Sequence, residues 1–469
     1  MHQSAGILLF CSLFAGIAAL AQAQTPGDSD LTPGGFSVRI DGRVRAYAGY
    51  LDGSEFDDQG DDGGKHSAIG AYESFRFYPG FDGVSGGGLQ YGATVEFRQQ
   101  DLQSPGGPNN NLALLSSQDD TGIDVHRVFG YLGLPAWGTL RFGTQYGIAA
   151  QFSAGTMENF NDGGWNGDVP RMLARNTQIP WPFADSDTMA LAPKLVYLSP
   201  SLDTDDWGRF DAGLAFEPAS VRPSVTDGNC PAAAQLGSNT GSQSGCDPLA
   251  GSVIGAQYAR GRDTVELAAR WRVVFGAVGV VAEAAYITGG TGSVDGPQLL
   301  TASSHPISYN GLNLADFGAA LTYAGVQIGA HAQTGDFNNS LAGGEGSALA
   351  LAPKGGKPAT AFVTGVSYKL GPAVVGASYL SVDSQGAFGS QLTSAGGVPP
   401  IIIGLGQRHE DGVAAGATYK LRPSIALFLS YLYGERKQAG YDFVTGAAGA
   451  TANNATHTQA VTLGASYSW

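Results

Sequence analysis

The chain has 469 residues, with 25 Lys+Arg against 40 Asp+Glu and a formal net charge of −15. Charged residues make up only 14%, against about 25% in ordinary soluble domains, and the 71 glycines are roughly twice the usual share. The mean hydropathy of −0.04 and the absence of an apolar run near 20 residues after the N-terminus exclude helical membrane spans, and the acidic balance argues against a nucleic-acid partner.

Ile7–Ala21 is apolar or small apart from Ser12, and it ends in Ala21-Gln22-Ala23. That is a hydrophobic stretch followed by a small-x-small cleavage site, although Met1–Gly6 carries no Lys or Arg. An export signal is expected over residues 1–23, with 24–469 as the mature chain.

From residue 38 onward the dominant signal is alternation with period two. Val38–Tyr50 places Val38, Ile40, Val44, Ala46, Ala48 and Tyr50 on one face, with Arg39, Asp41, Arg43 and Arg45 on the other. Leu89–Arg98 sets Leu89, Tyr91, Ala93, Val95 and Phe97 against Gln90, Thr94, Glu96 and Arg98. Successive side chains of a strand point to opposite faces, so each such segment has an apolar and a polar side. In chain order, strands are expected near 38–50, 71–82, 89–99, 123–134, 138–143, 192–200, 207–217, 264–274 and 278–288. They continue near 312–323, 326–335, 360–370, 373–383, 409–421, 425–437 and 456–469. Gly251–Arg260 could add a seventeenth, but it reads as the end of the preceding loop, and both termini on one side favour the even count.

Connections alternate in length. Tight turns at Val84–Gly88, Pro135–Gly138, Phe275–Ala277, Ala324–Gly325, Gly371–Pro372 and Arg422–Ser424 face long polar excursions at 51–70, 100–122, 144–191, 218–263, 289–311, 336–359, 384–408 and 438–455. This is a meander of hairpins in one unit. Aromatics fall near strand ends (Tyr50, Phe81, Tyr131, Tyr286, Tyr323, Tyr419, Tyr431, Tyr433, Trp469), as in the girdles that flank a lipid-facing band. The expected fold is an all-β, transmembrane, antiparallel up-and-down barrel of sixteen strands.

Several motifs carry less. Cys11 lies in the signal segment, while Cys230 and Cys246 flank one polar loop and are expected to form a disulfide in an exported protein. Asp57, Asp58, Asp61 and Asp62 lack EF-hand spacing and read as a solvated loop. The seven histidines show no metal-binding spacing, so neither metal nor cofactor is expected. Nor is an enzyme: His126 is the one histidine considered for a hydrolase of the barrel rim, and no serine has a GxSxG context.

The run Gly130–Gly143, GYLGLPAWGTLRFG, resembles the fourth and fifth strands of Gram-negative outer-membrane porins. GLQYGATVEFR, Leu198-Ser199-Pro200 after Tyr197 and the C-terminal ATHTQAVTLGASYSW are similar to strands of the same family, which more often ends in Phe than in Trp469. The resemblance implies a trimeric sixteen-stranded barrel in the outer membrane with its third long loop folded inward. It implies a water-filled channel for passive diffusion of small hydrophilic solutes and ions, with outer-membrane lipids around it. A substrate-preferring channel and a barrel hydrolase are the alternatives.

In that family the loop after the fifth strand narrows the pore. Here it carries Glu158, Asp162 and Asp168, expected as the acidic side of the constriction. Period-two assignment gives Arg39, Arg43, Arg45, Arg76, Arg98 and Arg141 as the basic wall, joined by Arg127 if Val128 and Leu132 face lipid. Opposed charged walls set up a transverse field that governs which solutes pass.

Overall fold

The computed structural model describes residues 32–54, 68–99, 123–173, 177–186, 193–204, 207–218, 262–290, 293–294, 307–308, 310–340, 347–350, 352, 354–387, 405–444 and 451–469. The signal segment, the acidic cluster Asp57, Asp58, Asp61 and Asp62, Cys230, Cys246 and Gly251–Arg260 lie outside the described residues.

Alternating sequence becomes one closed antiparallel sheet. Numbering the barrel strands alone, these are β1 (Phe36–Gly53), β2 (Ile69–Val84), β3 (Gln90–Gln99), β4 (Ile123–Leu134), β5 (Gly138–Thr144), β6 (Pro193–Leu198), β7 (Gly208–Glu217) and β8 (Arg262–Phe275). The second half comprises β9 (Val278–Gly290), β10 (Asn313–Tyr323), β11 (Val326–Gly335), β12 (Ala359–Leu370), β13 (Ala373–Ser384), β14 (Arg408–Arg422), β15 (Ile425–Lys437) and β16 (Ala455–Ser468). The short Leu202–Thr204 segment continues β6 along β7 after one extra residue, with Pro200 at that bulge, where its missing N–H disturbs no ladder. Each strand therefore pairs with its chain neighbours, and the sheet has sixteen staves.

Closure joins β1 to β16 from Arg43↔Ser468 to Gly53↔Thr458. Beyond that ladder Trp469 N–H donates to Gly42 O at 3.1 Å, and Gly42 N–H donates back to Trp469 O at 3.2 Å. The indole lies where a Cβ on residue 42 would sit, 2.3 Å from its nearest ring carbon, so glycine is required there.

Tight turns use the backbone conformations that hairpins demand. Ala324 and Gly325 both have positive φ (47° and 84°) between β10 and β11, the mirror-image turn whose twist matches the strands.

The outer face is apolar and unburied: Val38, Ile40 and Leu463 are 63%, 62% and 66% exposed. Among the described residues no helix is long and apolar enough to cross a membrane; the apolar band belongs to the strands. Two irregularities matter for the lumen. The β2–β3 ladder skips Tyr78 and Pro79 between Phe77↔Phe97 and Gly80↔Thr94, because Pro79 has no N–H to give. In β4 one extra residue, His126, interrupts the β3 register. The bulge turns Arg127, Phe129 and Tyr131 inward. Tyr131 is therefore not a girdle residue, as its place near a strand end suggested; it is 3% exposed and donates its hydroxyl to Asp82.

Buried hydrophobic side chains gather inside the barrel, where the segment after β5 packs on the inner wall.

Candidate functional site

The segment between β5 and β6 contains a short helix, α1 (Ile148–Phe152), and two 3-10 turns, Gly164–Asn166 and Val169–Met172. It runs as a belt around the inner wall. Ala149 N–H donates to Glu266 of β8 at 3.1 Å, Ala154 O accepts from His331 of β11 at 2.8 Å, and Thr418 of β14 donates to Phe160 O at 3.1 Å. Its apolar side chains (Ile148, Phe160, Trp165, Leu173, Ile179, Phe183) are almost fully buried against the strands. The fit depends on glycines that point into the lumen. A Cβ at Gly412 would lie 2.5 Å from Trp165 Nε1, and one at Gly434 would lie 2.6 Å from its ring. A wall that met only water would have no use for such gaps.

The three loop carboxylates have different surroundings. Asp168 meets the basic wall: Arg45 Nη1 lies 3.2 Å away, Ser74 Oγ 3.2 Å, Tyr47 OH 3.3 Å and Arg76 Nη2 3.5 Å. Asp162 does not. Its Oδ2 accepts the N–H groups of Asp168 and Val169, both at 3.0 Å, and Ser430 of β15 donates to its Oδ1 at 3.2 Å. It closes the second 3-10 turn; its backbone carbonyl accepts from Arg45 at 3.2 Å, and its carboxylate feels the same guanidinium without a hydrogen bond to it. Glu158 also turns away, accepting from Ser378 Oγ of β13 at 2.9 Å and from Asn166 N–H at 3.0 Å. Of the three carboxylates expected to oppose the arginines, Asp168 is the one whose side chain hydrogen-bonds them. A carboxylate beside unpaired backbone N–H groups satisfies the chain first.

Burial pushes the Glu158 carboxyl up to about 8, more than the Asn166 and Ser378 hydrogen bonds lower it. Burial raises Asp162 as well, with Asp168 adding to the effect. The same cause raises Asp185, whose Oδ1 accepts from Trp181 Nε1 at 2.6 Å.

The arginines occupy the arc of β1–β5. Arg45 and Arg76 reach Asp168, as above. Arg98 and Arg127 both bind Glu96, a carboxylate with no exposed side-chain area, and Arg76 Nη1 lies 3.9 Å from it. Arg39 pairs with Asp82 rather than with the loop. Arg141 donates to Gln151 Oε1 of α1 at 2.9 Å. Arg43 sits opposite Arg76 in the β1–β2 ladder, and its Nε has no hydrogen-bond partner among the described residues. Arg127 joins the wall through the β4 bulge. Glu96 was the residue sequence reasoning passed over: its place on the polar face of β3, two positions from Arg98, was the available signal.

The polar face of the arc thus carries seven described arginines (39, 43, 45, 76, 98, 127, 141), with Asp41, Asp82 and Glu96 on the same face and Asp168 reaching it from the belt. An apolar exterior around a charged lumen, with a belt folded into it, defines an outer-membrane channel.

The family model for Gram-negative porins matches residues 10–439, and the chain belongs to that family. It is an outer-membrane channel for passive diffusion. No curated protein matches it in sequence. Among solved structures it is similar to an anion-selective porin from Comamonas acidovorans, at 14% identity, 93% of this chain and 100% of that one, TM-score 0.49. It is also similar to the trimer form of OmpT, an outer membrane protein of Vibrio cholerae, at 14% identity, 92% and 99% coverage, TM-score 0.46. A third is Salmonella typhi OmpF, at 13% identity, 92% and 97% coverage, TM-score 0.46.

Proposed function

We propose that the channel is a general diffusion pore whose narrowest part lies between the β5–β6 belt and the β1–β5 arginine arc, and that it prefers anions. One observation carries the reading: seven arginines on the polar face of the arc, met from the belt by the Asp168 side chain, with Glu158 and Asp162 hydrogen-bonded into the belt's own folding. The overall charge of −15 points the other way. Charges in the outer loops are screened within about 8 Å at physiological ionic strength, so a permeating ion responds mainly to groups lining the narrow part.

The same reading includes export with removal of residues 1–23, a Cys230–Cys246 bridge and assembly as a homotrimer, the state the family resemblance implies. Reversal potential across a planar bilayer in a KCl gradient is the test. A value displaced towards the chloride equilibrium potential is expected; one towards potassium overturns the anion preference. Swelling of liposomes in small sugars tests general diffusion alongside it.

A hydrolase reading has one contact in its favour: on the rim Ser54 Oγ lies 3.0 Å from His457 Nδ1. Ser54 Oγ also accepts His457's own N–H at 3.0 Å. Among the described residues no carboxylate orients that ring, so a positioning contact explains the pair. His126, the histidine first considered, is buried in the β4 bulge. Ester hydrolysis by the folded protein, lost in Ser54→Ala, would revive the idea.

A further inference from the structure

Glu283 of β9, Asp316 of β10 and His331 of β11 come together on the lumen face beneath the belt. Their ligand atoms lie within 4.8 Å of one another, and all three side chains are 1% exposed or less. The register explains how. Glu283 is level with Gly318 and Gly318 with His331, so two side chains that start two strand spacings apart meet over a residue with none. A Cβ at position 318 would lie 2.7 Å from His331 Nδ1 and 1.9 Å from Ala154 O.

We propose that these three side chains form a site for a first-row divalent transition cation. Two further observations point to a ligand. Nδ1 of His331 faces the carbonyl oxygen of Ala154 at 2.8 Å, which can only accept, so Nδ1 carries the proton. That leaves Nε2 as the ligating nitrogen, 2.9 Å from Asp316 Oδ2. Two ligands about 2.1 Å from a metal at a right angle are about 3 Å apart, and a ligating imidazole ordinarily gives its other N–H to a carbonyl or carboxylate. Secondly, both carboxylate oxygens of Glu283 are buried without a hydrogen-bond partner of full geometry among the described residues, in surroundings made polar by Asp316 and the Ala154 backbone. Nδ1 of His331, 3.3 Å from Glu283 Oε1, is committed to the Ala154 carbonyl. Two carboxylates and one imidazole supply three donor atoms that a cation can take once they release the protons they share. A nitrogen in the set favours zinc-like ions over magnesium or calcium. A cation on Nε2 polarises the ring and strengthens the Nδ1–H bond to Ala154, fastening the belt to β11. The Phe183 ring, edge-on at 4.6 Å, covers the imidazole.

The test is Zn²⁺ binding to the full-length folded protein, extracted in detergent, stripped with a chelator and equilibrated with the metal alone. One Zn²⁺ per chain is expected, with affinity at least about tenfold weaker in Glu283→Gln and in His331→Asn. His409→Asn is the control, because His409 lies in an exposed cluster between Asp383 and Asp411; it is expected to bind as wild type does. X-ray absorption of the Zn²⁺-loaded wild type needs no variant to fold, and a single imidazole among oxygen ligands is expected. No uptake, undiminished uptake in Glu283→Gln and His331→Asn, loss in His409→Asn, or any imidazole count other than one overturns the proposal. Binding is read without conductance, so its failure leaves the channel reading untouched.

Discussion

Replacing Asp168 by Asn removes the described belt carboxylate that hydrogen-bonds the basic wall. The side chain accepts from Arg45, Tyr47, Ser74 and Arg76 at 3.2–3.5 Å. A carboxamide oxygen can keep two of these donors, while its NH₂ faces a guanidinium. For a permeating ion the change is one lost negative charge. At about 6 Å the Coulomb energy is about 0.7 kcal/mol at a dielectric constant near 80 and about 2.8 kcal/mol near 20. The lumen is wet, so the lower figure is the working value, and it corresponds to about a threefold change in permeability ratio. Reversal potential in a KCl gradient at pH 7 should therefore move towards chloride by that ratio. Glu158→Gln is the internal comparison. With its carboxyl pushed up to about 8, Glu158 is mostly uncharged at pH 7, and its substitution should leave selectivity unchanged. A Glu158→Gln shift equal to that of Asp168→Asn, or none in Asp168→Asn, would refute the assignment of the two carboxylates.

Glu158 also predicts a pH dependence. Its folded carboxyl lies above the unfolded value of 4.5, so the stability it contributes is full below about pH 4.5 and is lost as pH rises to about 8. Thermal unfolding midpoints should fall over that window more steeply in wild type than in Glu158→Gln; parallel curves would contradict this. Glu96→Gln leaves Arg98 and Arg127 without their buried counter-charge, and breaking such a pair costs about 3–5 kcal/mol; denaturant unfolding should show the loss, and an unchanged midpoint would count against the pairing. Gly412→Val drives a side chain into Trp165, an overpacking of about 1–3 kcal/mol. The belt should shift, seen as altered single-channel conductance with the barrel intact by circular dichroism. Cys230 and Cys246 should resist iodoacetamide until a reductant is added, and modification of both beforehand would exclude a bridge.

The barrel was legible because alternation is a local property: all sixteen expected strands coincide with observed ones to within a few residues. Tyr131 shows the limit. Its facing depends on the bulge at His126, and an extra residue shifts parity without leaving any mark in composition. Arg127 was ambiguous for the same reason. The belt was legible as a position in the chain, since it follows the fifth strand, but not as a path. Glu158, Asp162 and Asp168 lie in irregular backbone with no periodicity to orient them, and their directions follow from which N–H groups the 3-10 turns leave unpaired. Lumen-facing glycines such as Gly412 and Gly434 held a usable clue, because a wall facing only water needs no room. Glu283, Asp316 and His331 meet through register across three strands, beyond the reach of motif spacing.

The most direct test of the channel itself is reconstitution of the folded protein into a planar lipid bilayer. Stepwise, ohmic increases in current are predicted, with the reversal potential in a KCl gradient lying on the chloride side. Correctly folded protein that leaves the current at the bare-lipid baseline would contradict the account.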